Sequence, residues 1–120
     1  MEYRRREEIE TKQLPGRGIA DAVGPAGAVQ VTSGMKVGFA VYSGEYGAME
    51  PHRHAEETVY VRRADRAWVE FGGEPGALRE RMDLEEGMVL YFPADEWHAF
   101  RYAEGGMAEI LFIFGNQSGN

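Results

Sequence analysis

The chain has 120 residues, with 13 Lys and Arg against 20 Asp and Glu, a formal charge of −7 and a sequence pI near 5.0. That length suits one domain with its own core; the acidic balance argues against a phosphate backbone as partner. The absence of cysteine excludes disulfides and thiolate metal sites, and no stretch is long and apolar enough to span a bilayer.

Met1 to Lys12 is charged and mixed in sign. Arg4-Arg5-Arg6 is followed at once by Glu7, Glu8 and Glu10, so residues 1–14 read as a solvated arm. The arm lacks the apolar stretch of a signal peptide, and a cytoplasmic protein is expected. Pro15-Gly16 and Gly24-Pro25 then break the chain into short strands and loops, which are expected to serve subunit contacts.

Turn signals recur from there on. They fall at Ser33-Gly34, Gly44 to Gly47, Gly72 to Gly76, Glu86-Gly87, Pro93-Ala94-Asp95 and Glu104-Gly105-Gly106. Short runs of Val, Ile, Phe, Tyr and Trp lie between them, which predicts antiparallel strands in an all-β sandwich or barrel. Thr58 to Val61 is a strand by propensity. Ala67, Val69 and Phe71 share one face of the next, with Trp68 and Glu70 on the other. In Leu78 to Leu84, Leu78, Met82 and Leu84 share a face, interrupted by Glu80, opposite charged residues, a half-buried strand. Met107 to Phe114 is almost all apolar and is expected to be covered on both sides.

All three histidines fall in two of these segments. His52 and His54 are two apart, which on a strand puts both rings on one face. Glu57 has the parity of Val59 and Val61, so it should point inward, where a bare carboxylate is costly and a cation would compensate it. His98 follows on a later strand, sharing a face with Phe100 and Tyr102. Arg53, between the histidines, should point to the opposite face as a surface or subunit-contact residue. Three imidazoles and a carboxylate are a fitting donor set for a divalent transition metal.

These residues resemble the cupin superfamily. Its first motif, G-x5-H-x-H-x3/4-E-x6-G, is approached by Gly47, His52, His54, Glu57 and Ala64. Its second, G-x5-P-x-G-x2-H-x3-N, is approached by Gly87, Pro93, Asp95, His98 and Tyr102. There are departures. Gly47 is one residue closer to His52, and two residues rather than three separate His54 from Glu57. Ala64 and Asp95 stand at glycine positions, and Tyr102 at the Asn. Alanine disfavours positive φ, so the turn Arg62 to Arg66 should be reshaped, whereas aspartate tolerates a left-handed backbone.

The resemblance implies a single-domain cupin β-barrel over residues 1–120, the double-stranded β-helix or RmlC-like jelly roll, with the motifs within 47–102. It implies that His52, His54, Glu57 and His98 hold one divalent metal, Fe, Mn, Ni, Cu or Zn, with open positions for water or substrate. The short gap after His54 keeps Glu56, and more remotely Glu50, as competitors of Glu57. It implies a metal-dependent enzyme acting on a sugar, sugar acid or dicarbonyl, whether isomerase, lyase, decarboxylase or dioxygenase. The other reading is a non-catalytic module that binds a small ligand. A homodimer is expected. Glu96, Arg101 and Tyr102 are the candidates for catalytic groups. Tyr60, Tyr91, Trp97, Phe100 and Tyr102 are candidates for the mouth of a cavity.

Overall fold

The computed structural model describes residues 1–115. A single 3-10 turn at Arg6–Glu8 precedes eight strands: β1 Lys12–Leu14, β2 Arg17–Gly24, β3 Val29–Gln30, β4 Lys36–Ser43, β5 Glu57–Glu74, β6 Ala77–Asp83, β7 Val89–Phe92 and β8 His98–Phe114. The architecture is all-β, as expected, and among the described residues no helix is long and apolar enough to cross a membrane. The strands run in the order β1-β2-β4-β8-β5-β6, with β3 on β2 and β7 on β5. Every pairing but β2 with β3 is antiparallel. The path is open and ends on β1 and β6, so no hydrogen-bonded ring closes it.

What curls the sheet is the long ladder between β5 and β8. It runs from Thr58↔Ile113 to Phe71↔His98, with register shifts at Val61/Arg63 and Asp65/Ala67. Bulges of this kind bend a strand and increase its twist. The expected turn at Glu104-Gly105-Gly106 is therefore a bend inside β8, lying against Asp65 and Arg66 of β5. A Cβ on Gly106 would sit 2.5 Å from the Asp65 carbonyl oxygen, so only glycine allows this approach. The stretch Arg62 to Arg66, expected as a turn, is likewise a bulged part of β5. Its left-handed residue is Arg66, at φ +50. The Arg66 guanidinium is held by Asp65 through two contacts of 3.1 Å and by the Glu104 carbonyl at 3.1 Å.

The bend brings the two ends of the ladder together. Glu57 begins β5 and His98 begins β8, at opposite ends of the pairing, yet Glu57 Oε1 lies 4.0 Å from His98 Nε2. Inside the curl, Val59, Val61 and Val69 of β5 pack with Phe100, Ile110 and Phe112 of β8. The alternation Ala67, Val69, Phe71 does face this core.

Three expectations need correction. Leu78 to Leu84 is not half-buried along its length: Met82 is 40% exposed and only Leu84, beyond the strand, is buried. The cause is position, since β6 ends the sheet with one neighbour. Ala108, Glu109 and Ile110 are buried in succession, so β8 is covered on both faces there, but Ile113 is 38% exposed. Nor is the arm fully solvated. Arg6 reaches Glu109 at 3.4 Å, Arg62 and Arg63 pair with the same carboxylate, and Arg6 and Arg62 lie 5.0 and 5.1 Å from the Phe39 ring. A buried carboxylate demands such partners.

Candidate metal centre

His52 and His54 lie in an extended segment ahead of β5 rather than in a full strand. One bridge fixes them. His52 N–H donates to the His98 carbonyl at 3.0 Å, and His98 N–H donates back to His52 at 3.0 Å. Residues paired this way project their side chains to the same side, and the two ring centroids are 4.4 Å apart. His54, two residues on, keeps that side, 5.0 Å from His52 and 4.9 Å from His98. Its carbonyl accepts from Asp95 N–H at 2.8 Å. Asp95 is left-handed at φ +66, so aspartate here takes the conformation that glycine would supply. One nitrogen from each ring can be chosen so that all three lie within 4.8 Å of one another.

The proton positions follow from the carbonyls. His98 Nδ1 lies 2.9 Å from the Glu96 carbonyl, and His54 Nδ1 2.8 Å from the Ala55 carbonyl. A carbonyl only accepts, so each Nδ1 carries the proton and each Nε2 keeps a lone pair. Backbone partners of this kind are what orient metal-ligating imidazoles. His98 Nε2 is buried and has no hydrogen-bond partner; Phe92 stacks on the ring at 4.2 Å. Burial, and then the other imidazoles, push His52 down to about 3. Burial pushes His98 down to about 4 and His54 down as well. All three are neutral at pH 7, the form that binds a cation.

Glu57 is 6% exposed, and its Oε1 is 3.6 Å from His54 Nε2. Burial pushes its carboxyl up to about 7. At 3.6 and 4.0 Å from two imidazole nitrogens, the carboxylate is beyond hydrogen bonding. Donors about 2.1 Å from a shared ion stand roughly 3.0–3.4 Å from one another. Here Glu57 Oε1 is 3.6 and 4.0 Å from two imidazole nitrogens and the three imidazole nitrogens lie within 4.8 Å of one another, so the side chains would draw inward around an ion. An unpartnered lone pair, neutral imidazoles and a buried carboxylate fit a divalent cation. Glu56 is exposed and accepts from the Tyr91 hydroxyl at 2.5 Å, and Glu50 is exposed too.

In front of the histidines lies a cavity of about 320 Å³. Its far wall is the inner face of β2 and β4. Arg17, Ile19 and Asp21 alternate inward on β2, as Lys36, Ala40 and Tyr42 do on β4. Gly38 falls between Asp21 and Phe112 in register. A Cβ there would meet the Phe112 ring at 2.6 Å and the Ala20 carbonyl at 2.8 Å. Tyr42 stacks on Phe100 at 4.6 Å, and burial raises its hydroxyl above the usual tyrosine range.

The three candidates for catalytic groups are placed elsewhere. The Glu96 side chain lines a separate pocket with Phe71, Leu90 and Tyr91, and its carbonyl serves His98. Arg101 contacts the Met49 carbonyl and lies 3.5 Å from Glu70. The Tyr102 hydroxyl donates to the carbonyls of Ser43 and Gly47 at 2.8 and 2.9 Å. Phe100 is core, Tyr60 and Tyr91 are 41% and 59% exposed on the outer side, and Arg53 lies over Trp97. The aromatic rings of the cavity are instead Tyr42, Phe112 and Phe114. Period-two alternation in β2 and β4 was available as a signal for these walls; their registration on each other was not.

The sequence profile of the cupin domain family matches residues 39–114. No curated protein matches the chain. Among solved structures, the chain is similar to the polyketide cyclase RemF from Streptomyces resistomycificus, with TM-score 0.74 and 17% identity over 94% of this chain and 78% of that one. It is similar to the Fe(II) form of HppE, with TM-score 0.67 and 14% identity over 94% of this chain and 59% of that one. The oxalate decarboxylase of Lactobacillus farciminis gives TM-score 0.69 and 16% identity over 92% of this chain and 32% of that one.

Proposed function

Because the chain belongs to the cupin domain family, we propose that it is a metal-dependent enzyme acting on a small, oxygen-rich molecule such as a sugar acid or a dicarbonyl. In this reading His52, His54, His98 and Glu57 hold one divalent transition metal. The observation that carries it is the buried, unpartnered Nε2 of His98, aimed at two further imidazoles and a buried carboxylate. An orphaned buried acceptor costs about 1–3 kcal/mol, which a bound cation removes.

A divalent ion bound there would polarise a carbonyl, enediol or carboxylate oxygen of the substrate. The chain's own residues do the rest. The backbone carbonyls of Ala55 and Glu96 keep the Nε2 lone pairs inward. Phe112 and Phe114 keep one wall of the cavity apolar, and Tyr42 presents a hydroxyl that stays protonated. The positions of Glu96, Arg101 and Tyr102 outside this cavity favour a second reading, a small-ligand-binding module without turnover. The exposed outer-face residues Tyr60, Val89, Tyr91 and Ile113 support a homodimer, and the lack of cysteine agrees with a cytoplasmic setting.

Elemental analysis of freshly purified protein, with mass spectrometry of any co-purified small molecule, tests the proposal. One transition metal per chain is expected. Metal-loaded protein should then convert a sugar acid or a 1,3-dicarbonyl. Survival of a bound ligand through prolonged incubation would select the second reading.

A further inference from the structure

The far wall of the cavity carries two cations that no carboxylate of the described residues contacts directly. Neither Arg17 nor Lys36 has an acidic group within ion-pair distance among the described residues. That runs against the composition, in which 20 acids outnumber 13 basic residues. Arg17 donates one nitrogen to the Pro15 carbonyl at 3.0 Å, leaving the rest of its fork without a protein partner. The Lys36 ammonium stands 5.9 Å from the centres of both the Phe112 and Phe114 rings, on the cavity wall.

The two cations flank the histidine cluster from different sides. Arg17 lies one residue ahead of the Gly18↔Val41 pair, and Lys36 pairs with Phe114 at the other end of β4. The field of Arg17 is felt at His52, His54 and Tyr42, and that of Lys36 at His54 and Glu57. With neutral imidazoles and a divalent ion in place, Arg17 and Lys36 stand against only Glu57 and Asp21. The cavity then holds a surplus of about two positive charges, which a partly desolvated site does not tolerate unbalanced.

From this cation pair and its charge surplus, we infer that the cavity takes a small dicarboxylate. One carboxylate meets the ion, and Arg17 and Lys36 balance the dianion from either side. The inference rests on the metal-binding reading above and narrows its substrate class. Arginine suits the task because its planar fork matches a carboxylate, while Lys36 contributes a point charge.

The test is calorimetry on zinc-loaded protein, with malonate and uncharged malonamide as probes and zinc content measured on each sample. Wild-type protein should hold one zinc and bind malonate at least about tenfold more tightly than malonamide. Arg17→Gln and Lys36→Gln should each keep the zinc, lose about tenfold in malonate affinity and leave malonamide within about twofold. Arg17→Lys should recover part of the loss. One zinc per chain with no preference for malonate, or with malonate affinity unchanged in both variants, overturns the dicarboxylate and leaves the metal reading standing. Wild-type protein that takes up no zinc overturns both.

Discussion

Replacing Glu57 by glutamine should move stability and metal affinity in opposite directions. In metal-free protein the Glu57 carboxyl is held up at about 7, against 4.5 for an unburied group. A raised value means that the folded state keeps a proton which the unfolded chain has released. Stability from this group is therefore present below pH 4.5 and lost as pH climbs to 7. The loss comes to about 3 kcal/mol above pH 7 and under about 1 kcal/mol at pH 5. Glutamine has nearly the same shape and no charge, so it escapes this pH-dependent cost; burying its amide adds an offset of about 1–2 kcal/mol that does not vary with pH. Urea unfolding of chelator-treated wild type and Glu57→Gln at pH 5 and pH 8 measures the effect. The variant should gain about 2 kcal/mol on the wild type between the two values. Metal titration at pH 8 should show the reverse order, with Glu57→Gln binding more weakly than wild type and Glu56→Gln close to it. A stability difference that is the same at both pH values, or equal metal affinity in the two glutamine variants, would refute the reasoning.

Other outcomes follow from the same geometry. His52→Ala and His98→Ala should each abolish metal uptake, and normal metal content by elemental analysis in either would count against the site. Metal-free wild type should lose stability as pH falls from 6.5 toward 4. His52 and His98 are held down to about 3 and about 4, so the unfolded chain gains protons that the folded one refuses. Two such groups outweigh the opposing trend of Glu57, and a melting temperature that rises on acidification would refute this. Gly38→Val should cost about 1–3 kcal/mol by driving a side chain into Phe112 and the Ala20 carbonyl; denaturant midpoints equal to wild type would show that the wall yields.

Local chemistry made part of the architecture readable before any coordinates. Period-two parity alone turned Glu57 inward and Glu56 outward, because Val59 and Val61 share the parity of the buried residue. The all-β class followed from short apolar runs between turn residues. Long-range pairing was not readable. Glu104-Gly105-Gly106 has the composition of a turn, yet the bulge at Asp65 makes it a bend in a continuous strand. Glu109 sits in an apolar run with nothing nearby in sequence to mark Arg6 as its partner, 103 residues away. The cavity wall was hidden for the same reason, since Arg17 and Lys36 become neighbours of the histidines only once β2 registers on β4 and β4 on β8.

The meeting of Glu57 with His98 joins the two tips of one folded-back ribbon. A cation held between them would work as a buckle, and ribbon and buckle would then have to open together. Its loss would unfasten the two tips, so the metal-free curl should open more readily than the loaded one.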